Sequence, residues 1–300
     1  LPGPAMNVNS ACSSGLVAAS QAASAIASGQ CDAAVAGASS VTFPNLGYRY
    51  QDGLVNSVDG YVRPFDEAAD GTVFGDAVAA LVLRRREDSP DDTIWGVMRG
   101  FAVSNDGGRK AGYAAPSSVG QAQAIRASLQ MMGEDPWSVS YVECHATGTR
   151  IGDGIEIRGL IDAFNQVGGK RDAGAAPLAL GSIKGNIAHA NCAAGCTGFA
   201  KVLLMLRSRQ LAPTANFKTL NPKVDLSGTP FFINTELCSW DAGGKPLRAG
   251  VSSFGIGGTN AHIILDEPPQ RAAAKLEART QPVLRSFQVL PFSAKSASAL

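Results

Sequence analysis

The feature that most constrains this chain is an alternation of unbroken apolar runs with segments of helical period. Cys31–Ser39, Asp76–Leu83, Trp95–Val103, Val139–Cys144 and Leu178–Ile183 read as buried strands. Ala249–Phe254 and His262–Leu265 read as two more, joined by a Gly-rich hairpin. Between them, Ala11–Ser28, Gly120–Met132, Ile155–Phe164 and about Asn191–Arg207 read as helices. A strand that is apolar along its whole length is covered on both faces, so it belongs to a sheet held between helices. The expected class is therefore layered α/β. Ala11–Ser28 is mostly Ala, Ser and Gly with Leu16, Val17 and Ile26, which predicts a tightly packed helix stopped by Gly29. Pro44–Asp70 is irregular, and the charged turn Arg84–Asp92, with Pro90, marks a seam between two halves. Glu267–Arg285 reads as a polar linker, and Val289–Ala297 as the start of a further strand.

Composition excludes several classes. With 45% hydrophobic and 17% charged residues over 300 positions, the chain can bury a large core and is not intrinsically disordered. Its formal charge of +1 supplies no general field for nucleic acid or an anionic membrane. No apolar run approaches a bilayer span. The 6 cysteines form no dense small-domain pattern, which suggests a reducing, cytoplasmic compartment.

Four stretches carry candidate chemistry. Cys12, in Ser10-Ala11-Cys12-Ser13-Ser14-Gly15, sits where an extended segment turns into a helix of small residues. Amides and dipole at a helix N-terminus stabilise a thiolate, so Cys12 is a candidate nucleophile; a buried inert thiol is the alternative. All 3 histidines lie near Gly-, Ala-, Thr- or Asn-rich loops. His145 follows a strand in Glu143-Cys144-His145-Ala146-Thr147-Gly148-Thr149, and His189 precedes a helix after Lys184-Gly185-Asn186-Ile187-Ala188. His262 lies in a strand pattern and reads as a core histidine bonded to a backbone carbonyl. His189, Cys192 and Cys196 have no paired C-x2-C knuckle, which argues against zinc. Gly255-Ile256-Gly257-Gly258 lacks a following βαβ unit with an acidic residue, so it is no dinucleotide fingerprint.

Taken together, the stretches around Cys12, His145 and His189 and the segment Val251–His262 resemble the β-ketoacyl synthase family, in the order found in polyketide synthase ketosynthases. Pro64-Phe65-Asp66, Phe74-Gly75-Asp76, Gly152–Glu156 and Asn221-Pro222 fit the same pattern. The resemblance implies a thiolase-like fold, layered αβαβα in two pseudo-symmetric halves with the first incomplete here. Residues 1–90 would end the first half and carry the nucleophile, 91–268 would form the second and carry both histidines, and 269–300 would begin a linker toward an acyltransferase domain. From the position of Cys12 near the start, residues 1–300 alone are expected to fold poorly and show no elongation.

The implied chemistry is decarboxylative Claisen condensation. Cys12 would hold the acyl chain, and His145 and His189 would stabilise the enolate of a malonyl-type extender. The backbone amides of Cys12 and Ile256 would form the oxyanion hole. Lys184 would orient the region of His145 and Glu156 through an ion pair, Asn260 would support the site, and Thr147, Thr149 and Phe254 would line the substrate channel. The resemblance implies no directly bound cofactor and no metal; phosphopantetheine would arrive on an acyl carrier protein, and the enzyme would be a homodimer. Departures from the family's usual residues fall at Asn9, Ser10, Ala146, Gly154, Gly185 and Ala188; Ala146 and Ala188 stand where glycine is commoner. A thiolase-type condensation and a non-elongating carrier-binding scaffold are the competing readings.

Overall fold

The computed structural model describes residues 3–44, 46–88, 93–110, 112–171 and 176–269. In chain order its elements are α1 (Ser14–Ala27), β1 (Ala33–Ser40), β2 (Ala77–Arg84), β3 (Val97–Asn105), α2 (Ser118–Met132), β4 (Tyr141–Glu143), α3 (Gly152–Gly168) and β5 (Leu178–Gly181). They continue with α4 (Lys184–Ile187), α5 (Ala194–Ser208), β6 (Gln210–Leu211), β7 (Phe231–Ile233), β8 (Cys238–Ser239), β9 (Arg248–Phe254) and β10 (Thr259–Asp266). The expected linker and its following strand lie, from residue 270 on, outside the described residues.

The main sheet runs β3-β10-β9-β4-β5-β7, antiparallel across β3, β10 and β9 and parallel from β9 to β7. Alternate residues feed opposite cores, as the pleat requires. Val142, Leu178, Leu180 and Ile264 pack with Ile125, Leu129, Leu160 and Phe164 of α2 and α3. Tyr141, Ala179, Val251, Ile263 and Leu265 pack with Leu16 of α1 and Phe199, Val202 and Leu206 of α5. Beyond α1 and α5 lies the antiparallel pair β1–β2, which adds Ala36 and Leu81 to that second core. The order of layers is α2/α3, main sheet, α1/α5, β1/β2.

Three expectations change here. Among the described residues, strands β1 and β2 are covered on one face only: Val35, Val78 and Val82 are 59%, 74% and 79% exposed. An apolar run cannot distinguish a strand covered on both faces from one whose second cover is not among the described residues. Helices α2 and α3 also start earlier than their apolar faces, whereas α1 and α5 start three residues later than expected, each after a 3-10 turn. Ser117 caps α2, its Oγ accepting the Gly120 N–H, and α3 begins at Gly152, ahead of the apolar residues that announce it. Strand β5 ends at Gly181, and Ile183 instead caps the four-residue α4, which has no apolar period to reveal it.

Candidate active site

Cys12 lies inside a single 3-10 turn, Ala11–Ser13, that runs straight into α1. Ala11 is held at φ 54°, a left-handed conformation that costs a non-glycine residue about 1–3 kcal/mol. The serines around the cysteine hold that turn. Ser13 Oγ donates to the Ser10 carbonyl (2.9 Å), Ser14 Oγ to the Ala11 carbonyl (2.7 Å), and the Ser10 N–H to Ser14 Oγ (2.9 Å). From β9, Ser253 Oγ donates to the Cys12 carbonyl at 2.8 Å.

The turn that follows α4 brings His189 Nε2 to 3.1 Å from Cys12 Sγ. The histidine is pinned by its backbone: its N–H donates to the Val73 carbonyl (2.7 Å) and its carbonyl accepts from the Gly75 N–H (3.0 Å). Phe74 stacks beside its ring at 5.8 Å. His145, on the loop after β4, stands edge-on to His189 with ring centroids 5.3 Å apart and touches Phe254 at 5.8 Å. One ligand-type atom from each of Cys12, His145 and His189 falls within 4.8 Å of the others. Three residues separated by up to 177 positions are thus brought to one point.

Burial sets the protonation of this cluster. It pushes His189 down to about 3 and His145 well below the usual imidazole range, with Lys184 adding to both effects and His189 to that on His145. Both rings are neutral at pH 7. Among the described residues, their Nδ1 atoms are buried without a partner. Assigning each proton to Nε2 leaves a bare lone pair rather than a bare N–H at Nδ1 and points an N–H donor from each ring toward the cleft. A metal-ligating histidine ordinarily donates its far N–H to an acceptor. Among the described residues neither ring has one, so the cluster fits two hydrogen-bond donors beside a thiol better than a metal.

The thiol departs from the sequence expectation. Burial raises its pKa, and this outweighs the opposing pull of Lys184, the Ile256 N–H and its own N–H. The amides of Cys12 and Ile256 do converge on the sulfur, but desolvation is the larger effect.

The expected ion pair of Lys184 with Glu156 is not formed among the described residues. Both Glu156 oxygens are taken by backbone amides, Oε1 by His145 and Oε2 by Ala146, each at 2.7 Å. Glu156 therefore shapes the His145 loop directly. Asp153 does the same for its flanks, accepting the Phe65 N–H at 2.7 Å and the Gly148 N–H at 3.2 Å. Burial raises Asp153 to about 6 and Glu156 to about 7, the backbone donors opposing it. Lys184 is itself buried and its pKa is lowered, with Glu143 the largest opposing influence.

The remaining expected residues divide. Thr147, Thr149, Phe254, Ile256 and Asn260 line the same open cleft of about 1060 Å³ as Cys12 and both histidines. Asn260 reaches the site indirectly: its Nδ2 donates to Asp106 Oδ1 (2.7 Å) and to the Gly258 carbonyl (3.2 Å), holding the loop that carries Ile256. His262 is a core histidine, but its partner is the Ser252 hydroxyl at 2.9 Å, not a backbone carbonyl. Cys196 is fully buried within the α1/α5 core, away from the cleft. Ala146 is not among the residues with positive φ, whereas Ala188 is, at φ 63°. Sequence reasoning missed Glu143, Tyr141 and Lys201, whose buried cluster lies beneath the Lys184 turn.

Known proteins are similar to this chain along its whole length. Residues 1–89 match the family model described as beta-ketoacyl synthase, N-terminal domain, and 95–218 that of its C-terminal domain. Residues 221–300 match the ketoacyl-synthetase C-terminal extension. A phenolphthiocerol/phthiocerol polyketide synthase of Mycobacterium tuberculosis is 44% identical over 303 residues, covering 100% of this chain and 20% of that protein. Polyketide synthase PksL of Bacillus subtilis is 39% identical over 99% of the chain and 7% of its own length. Ketosynthase twelve from the bacillaene polyketide synthase of Bacillus amyloliquefaciens superposes with a TM-score of 0.84 at 38% identity, over 90% of this chain and 48% of that one. The ketosynthase from module 6 of the Bacillus subtilis 168 bacillaene synthase gives 0.82 at 38% identity. The chain thus spans about half of the solved ketosynthases and a fifth or less of these curated relatives.

Proposed function

The chain belongs to the β-ketoacyl synthase family and has its thiolase fold, and on that premise we propose that it carries the condensing site of a polyketide synthase. The observation that carries the reading is Cys12 Sγ at the head of α1, 3.1 Å from a neutral His189 and beside a neutral His145. In the first half-reaction Cys12 sulfur attacks the acyl thioester of a phosphopantetheine arm. The oxyanion is held by the Cys12 and Ile256 amides, and the proton that the thiol gives up leaves with the departing pantetheine thiol. In the second, a malonyl-type thioester loses CO2, and its enolate oxygen takes hydrogen bonds from the Nε2–H groups of His145 and His189. The carbanion forms a bond to the acyl carbon, the C–S bond to Cys12 breaks, and a chain longer by two carbons remains on the carrier.

Residues 1–90 and 91–268 are the parts of two halves that meet at this cleft, and 269–300 lead toward a following domain. An acyl carrier protein delivers both substrates, with Thr147 and Thr149 beside the arm, and the working unit is a homodimer. Among the described residues no helix is long and apolar enough to cross a membrane.

Intact-protein mass spectrometry with an acyl thioester tests the assignment. Wild-type protein gains one acyl mass and Cys12→Ala gains none, while Cys12→Ala still decarboxylates a malonyl thioester. Acylation that survives in Cys12→Ala sinks the reading.

A further inference from the structure

Glu143 ends β4 two residues before His145 and is 1% exposed. Its Oε1 accepts the Ile183 N–H at 2.6 Å, at the head of α4. Its Oε2 accepts Lys201 Nζ from α5 and the Tyr141 hydroxyl, both at 2.6 Å, and Lys201 also donates to the Tyr141 oxygen at 2.9 Å. One carboxylate therefore ties the strand that delivers His145, the turn that carries Lys184 and His189, and the helix beneath them.

That turn needs an anchor. It holds Ala188 and Asn191 at φ 63° and 43°, conformations that persist only when their surroundings over-determine them. At its far end His189 is fixed by the backbone of residues 73–75. At its near end Glu143 holds the Ile183 N–H, next to Ser182 Oγ, which accepts the Lys184 N–H at 3.3 Å, and Asn216 Nδ2, which donates to the Gly185 carbonyl at 3.0 Å. The segment is thus clamped on both sides of strained Ala188, and the charge of Glu143 also opposes the loss of the Lys184 proton.

We propose that Glu143, set by Lys201 and Tyr141, is a positioning residue that aims the Lys184–His189 turn at Cys12. It touches no substrate; it acts through Lys184 and His189, and the proposal rests on the role given above to His189. A buried ion pair can be replaced by apolar groups at little cost in stability, whereas removing one partner leaves the other charge uncompensated. This difference separates positioning from mere folding.

The test compares Glu143→Gln, the double variant Glu143→Gln/Lys201→Met and His189→Ala in the full chain. Melting temperature, malonyl-thioester decarboxylation and the pH profile of Cys12 alkylation by iodoacetamide are read for each. Expected are a lowered melting temperature for Glu143→Gln that the double variant regains, and decarboxylation reduced at least tenfold in both. The Cys12 profile moves to higher pH in both, because Lys184 holds its proton less firmly and pulls less on the thiol. Decarboxylation that returns to wild type together with the melting temperature overturns the proposal and leaves Glu143 a structural residue. Wild-type decarboxylation in His189→Ala overturns instead the function on which the proposal rests.

Discussion

Ala188 sits at φ 63° and ψ −172°, a region that glycine enters freely and other residues enter at a cost of about 1–3 kcal/mol. Glycine itself loses about 0.5–1 kcal/mol to chain entropy. Ala188→Gly is therefore expected to stabilise the protein by about 1 kcal/mol, read by urea denaturation at pH 7. A loss of stability would show that the alanine methyl packs better than its backbone is strained. The residue was legible in the sequence as a departure from the family's usual glycine, but the departure at Ala146 read the same way. Only the backbone angles separate the strained position from the harmless one. Cys12, His145 and His189 were legible as reactive types in small-residue loops. Glu143 and Lys201 were not, because a carboxylate in a strand and a lysine in a helix have no local mark of burial.

Elements meet around the site through small residues. A Cβ at Gly15 would lie 2.7 Å from Cys196 Sγ and 3.0 Å from the Cys192 carbonyl. One at Gly195 would lie 3.0 Å from the Leu16 side chain. Helices α1 and α5 therefore approach through reciprocal glycines, and this approach brings the Cys12 turn against the turn after His189. Gly15→Ala is expected to cost about 1–3 kcal/mol by overpacking and to slow acyl loading of Cys12 as the two turns part. Chemical denaturation and timed mass spectrometry check both; wild-type values in each would show that the helices can separate freely. The small-residue character of α1 was plain in the sequence and predicted tight packing. Its partner was not, since α5 follows it by more than 160 positions.

At the scale of the whole molecule, the buried titratable groups oppose one another. His145, His189 and His262 stay neutral in the fold, the last two down to about 3, while an unfolded imidazole takes a proton near 6.5. Their depressed values make the unfolded chain bind more protons as pH falls, so stability is lost below about 6.5. Asp153 and Glu156 have the opposite sign. Their folded pKa values are raised to about 6 and 7, so the stability they add is full below the unfolded values near 3.8 and 4.5 and is lost as pH rises through 6–7. Between about pH 4.5 and 6 the three imidazoles outnumber the two carboxyls by only 3 − 2 = 1 proton. Below about pH 4 the unfolded carboxyls are protonated too, and the difference rises to 3. The melting temperature is expected to fall gently from pH 6.5 to 4.5, with the slope of a single proton, and about three times as steeply below 4. Calorimetry across that range checks it, and a steep loss already between 6.5 and 5 would contradict it.

The sequence by itself determined the layered α/β class and the family, and it singled out the three side chains proposed for the chemistry, because each is written in local order: apolar runs, helical period, and a few motifs in fixed succession. It did not determine whether β1 and β2 are covered on one face or two, which direction the Cys12 pKa moves, or what holds Lys184. Those are decided by tertiary structure. Burial competes with nearby charge at each group, and the outcome depends on distances between residues that no local pattern encodes.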